Sequence, residues 1–251
     1  MAQSTLNRMA AAFAVAAVAI WGSDILARET ERKGYDITET GLVPRYPPGY
    51  DCSPLTSLYA SWTDVDHSKR TEKHSGVDGG RLGDPILAPG PGIVRAAWKA
   101  DWGWGNEGAL LIRHSAEQIG LSEGPRYLYS EFDHLSYRDV RAFKEGQSIA
   151  RGQVLARVGR PGGNRQYLPE VHWEVWEVED DDALTWSTNK HGGQYWTNNS
   201  ARLIDPLFML ALNSPPAADG SVTITPFVPG TDFSTFRGFT YIFPCRKISD
   251  R

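Results

Sequence analysis

In the stretch "PEVHWEVW", residues 169–176, apolar and polar side chains alternate. That period predicts a strand with Val171, Trp173 and Val175 on one face and Glu170, His172 and Glu174 on the other. The first face reads as core. The second carries an imidazole between two carboxylates, which is costly to bury without a partner. Similar short runs, broken by Gly, Pro and Asp, recur from about Cys52 to Leu212: "PILAPGPGIVRAAW", "GALLIRH", "RYLYSEF" and "QVLARVG". Each predicts a strand. No long stretch has helical periodicity. The best short helix is "DPLFMLAL", with Asp205 as N-cap and Pro206 at the first position. The pattern therefore predicts an all-β fold with few short helices. Residues 179–200 read as a long polar and aromatic insertion, a loop that either covers a site or moves. After "SPPAADGS", the runs "VTITPFV" and "GFTYIFPC" predict a final pair of strands in a C-terminal β extension, residues 215–251.

At the other end, Arg8 precedes an apolar run from Met9 to Trp21. The run is shorter than the ~20 residues of a membrane span. It fits the hydrophobic region of a signal peptide with cleavage near Ala27. An uncleaved N-terminal membrane anchor is the alternative, since only Asp24 interrupts the sequence before Leu26, and a buried helix is the plain one. Residues 1–27 are thus read as a signal peptide or N-terminal anchor, and export to the periplasm or cell envelope is expected. No cysteine follows the run, which speaks against a lipoprotein. Residues 28–51 read as a polar, proline-punctuated arm or linker. In an exported chain the two cysteines, Cys52 and Cys245, suggest a disulfide from the start of the domain to its tail; two buried thiols are the alternative.

Composition narrows the partners. The 251 residues suffice for one large or two small domains, and 41% hydrophobic content supports a core. A net charge of −4 gives no support for nucleic-acid binding, which usually shows a basic patch. Nine tryptophans and ten tyrosines suit a β-rich fold with aromatic grooves. Tyr127, Tyr129, Trp102 and Trp104 are candidates for groove walls, with core packing the fate of at least half. The oligomeric state is not encoded in any pattern found.

Three of the six histidines stand in informative surroundings. His74 lies four residues before Asp78 in "HSGVDGG", among glycines that let the backbone turn sharply. His134 ends an aromatic strand in "EFDHLS", and His172 lies in the alternating stretch. Two imidazoles and one carboxylate with an open fourth position are what a catalytic zinc requires. His114 reads as structural or exposed, His67 as part of a charged loop and His191 as a solvated loop residue.

The segments "HSGVDGGRLGDPILAPGPGIVRAAW", "GNEGALLIRH", "EFDHLS", "EGQSIARGQVLARVG" and "VHWEV" follow one another in an order and spacing that resembles the LytM/lysostaphin-like peptidases, family M23. "LIDPLFML" resembles the helix that closes those domains, and "SPLTSLYASW" takes the place of the opening strand. The resemblance covers roughly residues 53–212 and implies an M23-like peptidase domain at 52–214. Its expected fold is a two-sheet antiparallel sandwich with an exposed groove. It implies a Zn2+ site formed by His74, Asp78 and His172, and hydrolysis of peptide bonds in peptidoglycan peptides. It places one catalytic histidine at His134. The other, first in a His-x-His pair, falls on Glu170, a departure that leaves two readings: Glu170 as the base, or a degenerate module that binds and regulates cell-wall hydrolases. Glu174 either orients a ligand or ends the polar row.

Overall fold

The computed structural model describes residues 36–103, 105 and 107–248. The run from Met9 to Trp21, on which the expectation of export rests, lies outside them, as does Trp104. Among the described residues no helix is long and apolar enough to cross a membrane.

Among the described residues sixteen strands carry the fold. The arm supplies β1 (Val43–Arg45) and β2 (Tyr50–Cys52), followed by β3 (Leu55–Ser57) and β4 (Val77–Gly79). Next come β5 (Pro85–Leu87), β6 (Gly92–Ala100), β7 (Glu107–Ser115), β8 (Tyr127–Leu135), β9 (Ser148–Ile149), β10 (Val154–Arg157) and β11 (Val171–Val178). The rest are β12 (Thr185–Thr188), β13 (Gln194–Thr197), β14 (Ala201–Ile204), β15 (Ser221–Thr223) and β16 (Cys245–Lys247). The main sheet has eight antiparallel strands in the order β3-β4-β11-β8-β7-β6-β9, with β14 on the second half of β11. The β5–β10 hairpin forms a separate small sheet.

The period of two in the opening stretch is realised as read. Val171, Trp173 and Val175 are fully buried on the apolar face, where Trp173 stacks on Phe132 at 6.3 Å between centroids. The opposite face is buried too: His172 and Glu174 are only 5% and 1% exposed. Asp205 caps the helix Pro206–Leu210 by accepting from the Leu207 N–H.

Three expectations need correction. Residues 179–200 are not an open loop. They fold into the β12–β13 hairpin, whose Trp196 is buried edge-on against Trp176 at 4.9 Å and Tyr129 at 5.5 Å. The tryptophans and alternating threonines give that segment strand character, so it folds on the sheet. The two tail runs do not pair with each other. β15 pairs in parallel with β1, and β16 pairs with β2, so the arm and the tail are stitched together. The run between them, "GFTYIFPC", is mostly not strand: Phe239, Tyr241, Ile242 and Phe243 are buried in the core without ladder partners. Burial of large side chains, worth roughly 1.5–3 kcal/mol each, overrides the local β pattern there. Of the groove-wall candidates, Tyr129 is fully buried with its hydroxyl donating to Asp181, and Trp102 and Tyr127 are half-buried.

Cys52 and Cys245 form a disulfide across the β2–β16 pair. It closes a loop 193 residues apart in sequence. On the chain-entropy account such a loop restricts the unfolded chain by up to about 5 kcal/mol.

His114 is fully buried beside Phe239. Its Nδ1–H donates to the Pro91 carbonyl at 2.8 Å and its Nε2 meets the Ser130 hydroxyl at 3.0 Å. Burial pushes this imidazole down to about 4. The unfolded chain, with an ordinary value near 6.5, therefore takes up a proton that the fold refuses. Stability contributed by neutral His114 is fully present above about pH 6.5 and is lost as pH falls toward 4, an effect of about 3 kcal/mol. Buried Asp205, raised to about 6, acts in the opposite sense over part of that window. Comparing wild type with His114→Gln isolates the first effect: the variant is expected to be less stable at pH 7.5 but to lose less on acidification to pH 5, measured by urea unfolding at both values. An equal loss in the two proteins would refute the account.

Candidate metal centre

Asp78 and His172 are cross-strand partners in the β4–β11 ladder. His74 reaches the same point from the loop before β4, pinned by backbone bonds of its N–H to Ser61 and its carbonyl to Ala60. The close approach of that loop to β11 demands glycine at position 76, where a Cβ would lie 2.3 Å from the Trp173 carbonyl oxygen.

Three ligand-type atoms converge. His74 Nε2 lies 3.0 Å from His172 Nδ1, His172 Nδ1 lies 2.8 Å from Asp78 Oδ1, and His74 Nε2 lies 3.1 Å from that same oxygen. The outward nitrogens are occupied. His74 Nδ1 donates to the Leu58 carbonyl at 2.9 Å, and His172 Nε2 donates to Glu174 Oε1 at 3.1 Å. These bonds place each proton on the outer nitrogen and leave both inner lone pairs, with the carboxylate oxygen, facing one another. Such an arrangement needs a cation between them. The donor set and its outer partners therefore fit a metal ion. Of the two readings of Glu174, the contact supports the orienting one.

In the absence of a metal a proton does part of that work. Burial pushes His172 down, but the bonds to Asp78 and Glu174 outweigh it and hold this group up to about 10. Burial lowers His74. It raises Asp78, but the charges and hydrogen bonds of the two imidazoles reverse that and hold the carboxyl well below the usual range. Asp78 Oδ2 is taken by Arg70, whose Nη2 lies 2.8 Å away and 3.1 Å from Asp64. One oxygen of Asp78 is thus left for the metal. Arg70 was not singled out from the sequence, where it stands in a charged loop like any solvated residue.

His134 arrives by a different device. Gly108 opposes Leu135 and Leu110 opposes Phe132, so Asp133 and His134 together stand opposite Ala109. This is a β-bulge, and His134 has a left-handed φ of 62°. Asp133 is paired directly with His172 and shares its face. Regular alternation would send His134 to the other face. The bulge turns it back, with its ring 6.3 Å from that of His172. Its Nδ1 lies 2.9 Å from Oε2 of Glu107, a buried acid also missed from the sequence. Burial lowers His134, but the bond and charge of Glu107 outweigh it and raise it.

Glu170 precedes β11 in an isolated bridge with Gly159. Burial and the charge of Asp78 push its carboxyl up to about 7, against the pull of His134 and His172. Its Oε2 is buried and accepts no hydrogen bond among the described residues. The structure thus brings all five predicted site residues into one neighbourhood. His67 and His191 are exposed and His114 lies in the core, so none of the three belongs to it.

Residues 72–184 match the sequence pattern of Peptidase family M23. That segment, under half of the chain, is similar to Peptidase family M23. The matched segment includes His74, Asp78, His134, Glu170 and His172, and stops short of Arg70. Solved structures give looser likenesses. One is a catalytic-domain mutant of the prophage-encoded M23 protein EnpA from Enterococcus faecalis: 21% identity, 57% of this chain and 92% of that one, TM-score 0.33. A zinc-containing peptidase from Vibrio cholerae shows 22% identity over 72% of this chain and 40% of that one, TM-score 0.38. The catalytic domain of lysostaphin from Staphylococcus simulans shows 20% identity over 58% and 87%, TM-score 0.32. No curated protein matches the chain. The likeness to the family rests on the matched segment.

If the outer contacts of this site hold its ligand atoms as described, they govern metal affinity. Glu174→Gln and Arg70→Met are each expected to weaken binding of a divalent metal by about 10–100-fold, measured by competition with a chromogenic chelator. Unchanged affinity in both would show that the cluster does not depend on them.

Proposed function

We propose that the M23-like domain is a zinc-dependent endopeptidase of the cell envelope, cleaving peptide bonds of peptidoglycan. The observation that carries the reading is the convergence of His74 Nε2, Asp78 Oδ1 and His172 Nδ1, with their outer atoms already occupied. Two imidazoles and one carboxylate leave a fourth position open to solvent or substrate. Bound there, zinc supplies a Lewis acid that polarises a carbonyl and makes water acidic near neutral pH. The choice of peptidoglycan as substrate, and of the envelope as location, rests on the family resemblance and on the signal-like pattern of residues 1–27.

The chain's own residues divide the remaining work. Glu170 accepts the proton of the attacking water. Burial and the charge of Asp78 raise its carboxyl, a bound cation would lower it, and a carboxylate so placed can return the proton to the leaving amine. His134, whose Nδ1–H donates to Glu107, offers the Nε2–H of its charged ring to the oxygen on which negative charge develops. Glu174 and Arg70 hold His172 and Asp78 in place. Glutamate serves as base for zinc-activated water in metallopeptidases with the His-Glu-x-x-His helix, so a carboxylate at position 170 is chemically competent.

Glu170→Gln keeps the shape but removes the basic oxygen. It is expected to retain about one zinc per chain and to hydrolyse peptidoglycan at least about 10²-fold more slowly, whereas His74→Ala loses the metal. Equal zinc content in wild type and His74→Ala would sink the metal assignment. A wild type inactive on every peptidoglycan type, with activity gained in Glu170→His, would favour the binding-module reading instead. For location, residues 1–35 fused to a reporter active only outside the cytoplasm are expected to give signal; a stable but silent fusion would count against export.

A further inference from the structure

Glu107 is the first residue of β7 and is 1% exposed. A buried carboxylate is expensive unless both oxygens are used. Here both are. Oε2 lies 2.9 Å from His134 Nδ1, and Oε1 accepts from the Gly162 backbone N–H at 2.5 Å. Gly162 sits in the short turn Pro161–Gly163 with a left-handed φ of 59°. That turn belongs to the segment leading from β10 back to Glu170. One carboxylate thus joins a strand start, a bulged histidine and the turn that precedes the base.

We propose that Glu107 is the positioning residue of this site: it holds the proton of His134 on Nδ1, turns Nε2 toward the metal cluster, and anchors the Gly162 turn to the same ring. The proposal rests on the hydrolase reading and adds a residue to it. The bulge brings the His134 backbone to the site face, and the bond at Nδ1 orients the ring there. It also selects the protonation pattern, because a carboxylate can only accept, so Nδ1 must donate. Only a carboxylate fills the role fully. A glutamine has one accepting and one donating end, and both of its neighbours here are donors. Glu107→Gln must therefore either break with Gly162 or face Nδ1 with its NH2 group, which moves the His134 proton to Nε2.

The test is nitrogen-15 NMR of the full protein labelled at histidine, with the His134 signals assigned by loss in His134→Gln. Wild type is expected to carry a proton on Nδ1, in the neutral or the charged ring. In Glu107→Gln that pattern is expected to shift toward protonation at Nε2. Its kcat on purified peptidoglycan peptides should fall by about 10–100-fold, with KM and zinc content near wild type. A wild-type His134 bare at Nδ1 overturns the proposal without any variant, so a misfolded variant cannot shield it. Identical His134 signals and identical kcat in wild type and Glu107→Gln overturn it as well. If wild type hydrolyses nothing but shows the Nδ1 proton and its loss in the variant, the positioning stands and the hydrolase reading falls.

Discussion

The cross-strand pair of Asp78 and His172 is the constraint on which the site depends. On one face of β11, Val171, Trp173 and Val175 are sealed in the core; on the other, His172 and Glu174 are sealed almost as well. A shift of one residue in the β4–β11 register would exchange the two sets. It would put an imidazole and a carboxylate against Phe132 and Phe239, where nothing could answer their polarity. The apolar face therefore fixes the register, and the register delivers Asp78 to His172. Core packing and chemistry are two sides of one strand. The unusual feature is that the polar side is also dry, which leaves its lone pairs dependent on a cation and on each other.

Those dependences extend outward in an ordered way. Each ligand atom has a partner behind it: Leu58 carbonyl for His74, Glu174 for His172, Arg70 for Asp78. Arg70 is the sole fixed cation in contact with this group of acids among the described residues. Its position matters more than its charge. By occupying Oδ2 it stops Asp78 from presenting both oxygens and ties the loop that carries His74 to β4, and by touching Ser57 it ties that loop to β3 as well. An arginine with several donors in a planar fork can do this at once; a lysine offers no such fixed geometry.

Much of this was legible in the chain. The alternation at 169–176 announced the strand, its two faces and the problem of His172, and the glycine-rich "HSGVDGG" marked the turn that brings His74 close. The residues that escaped did so for physical reasons. Arg70 looks like a solvated loop charge because Asp78, 8 residues on, comes within its reach only when the loop between them folds back. Glu107 stands at the head of an apolar run, where an acid normally marks a strand's exposed end; that it is buried follows from His134 and Gly162, 27 and 55 residues away. The bulge at His134 leaves no local signature, since neither Asp133 nor His134 is a glycine. The tail's pairing with the arm joins segments almost a chain length apart, and no period within either one encodes the other.

Glu107 and Glu170 are best understood together. The family resemblance calls for a second histidine where Glu170 stands. A carboxylate there differs from an imidazole in one important respect: it attracts the charged form of His134 instead of repelling it. Left alone, that attraction would draw the His134 ring toward Glu170 and away from the position where it can donate to substrate. Glu107 supplies a competing acceptor on the opposite nitrogen, within hydrogen-bond distance, and so holds the ring against that pull. On the proposed reading of Glu170 as base, Glu107 is the second acid that keeps His134 usable beside it, since a carboxylate that accepts from both Nδ1 and the Gly162 N–H ties the ring to the opposite side of the site.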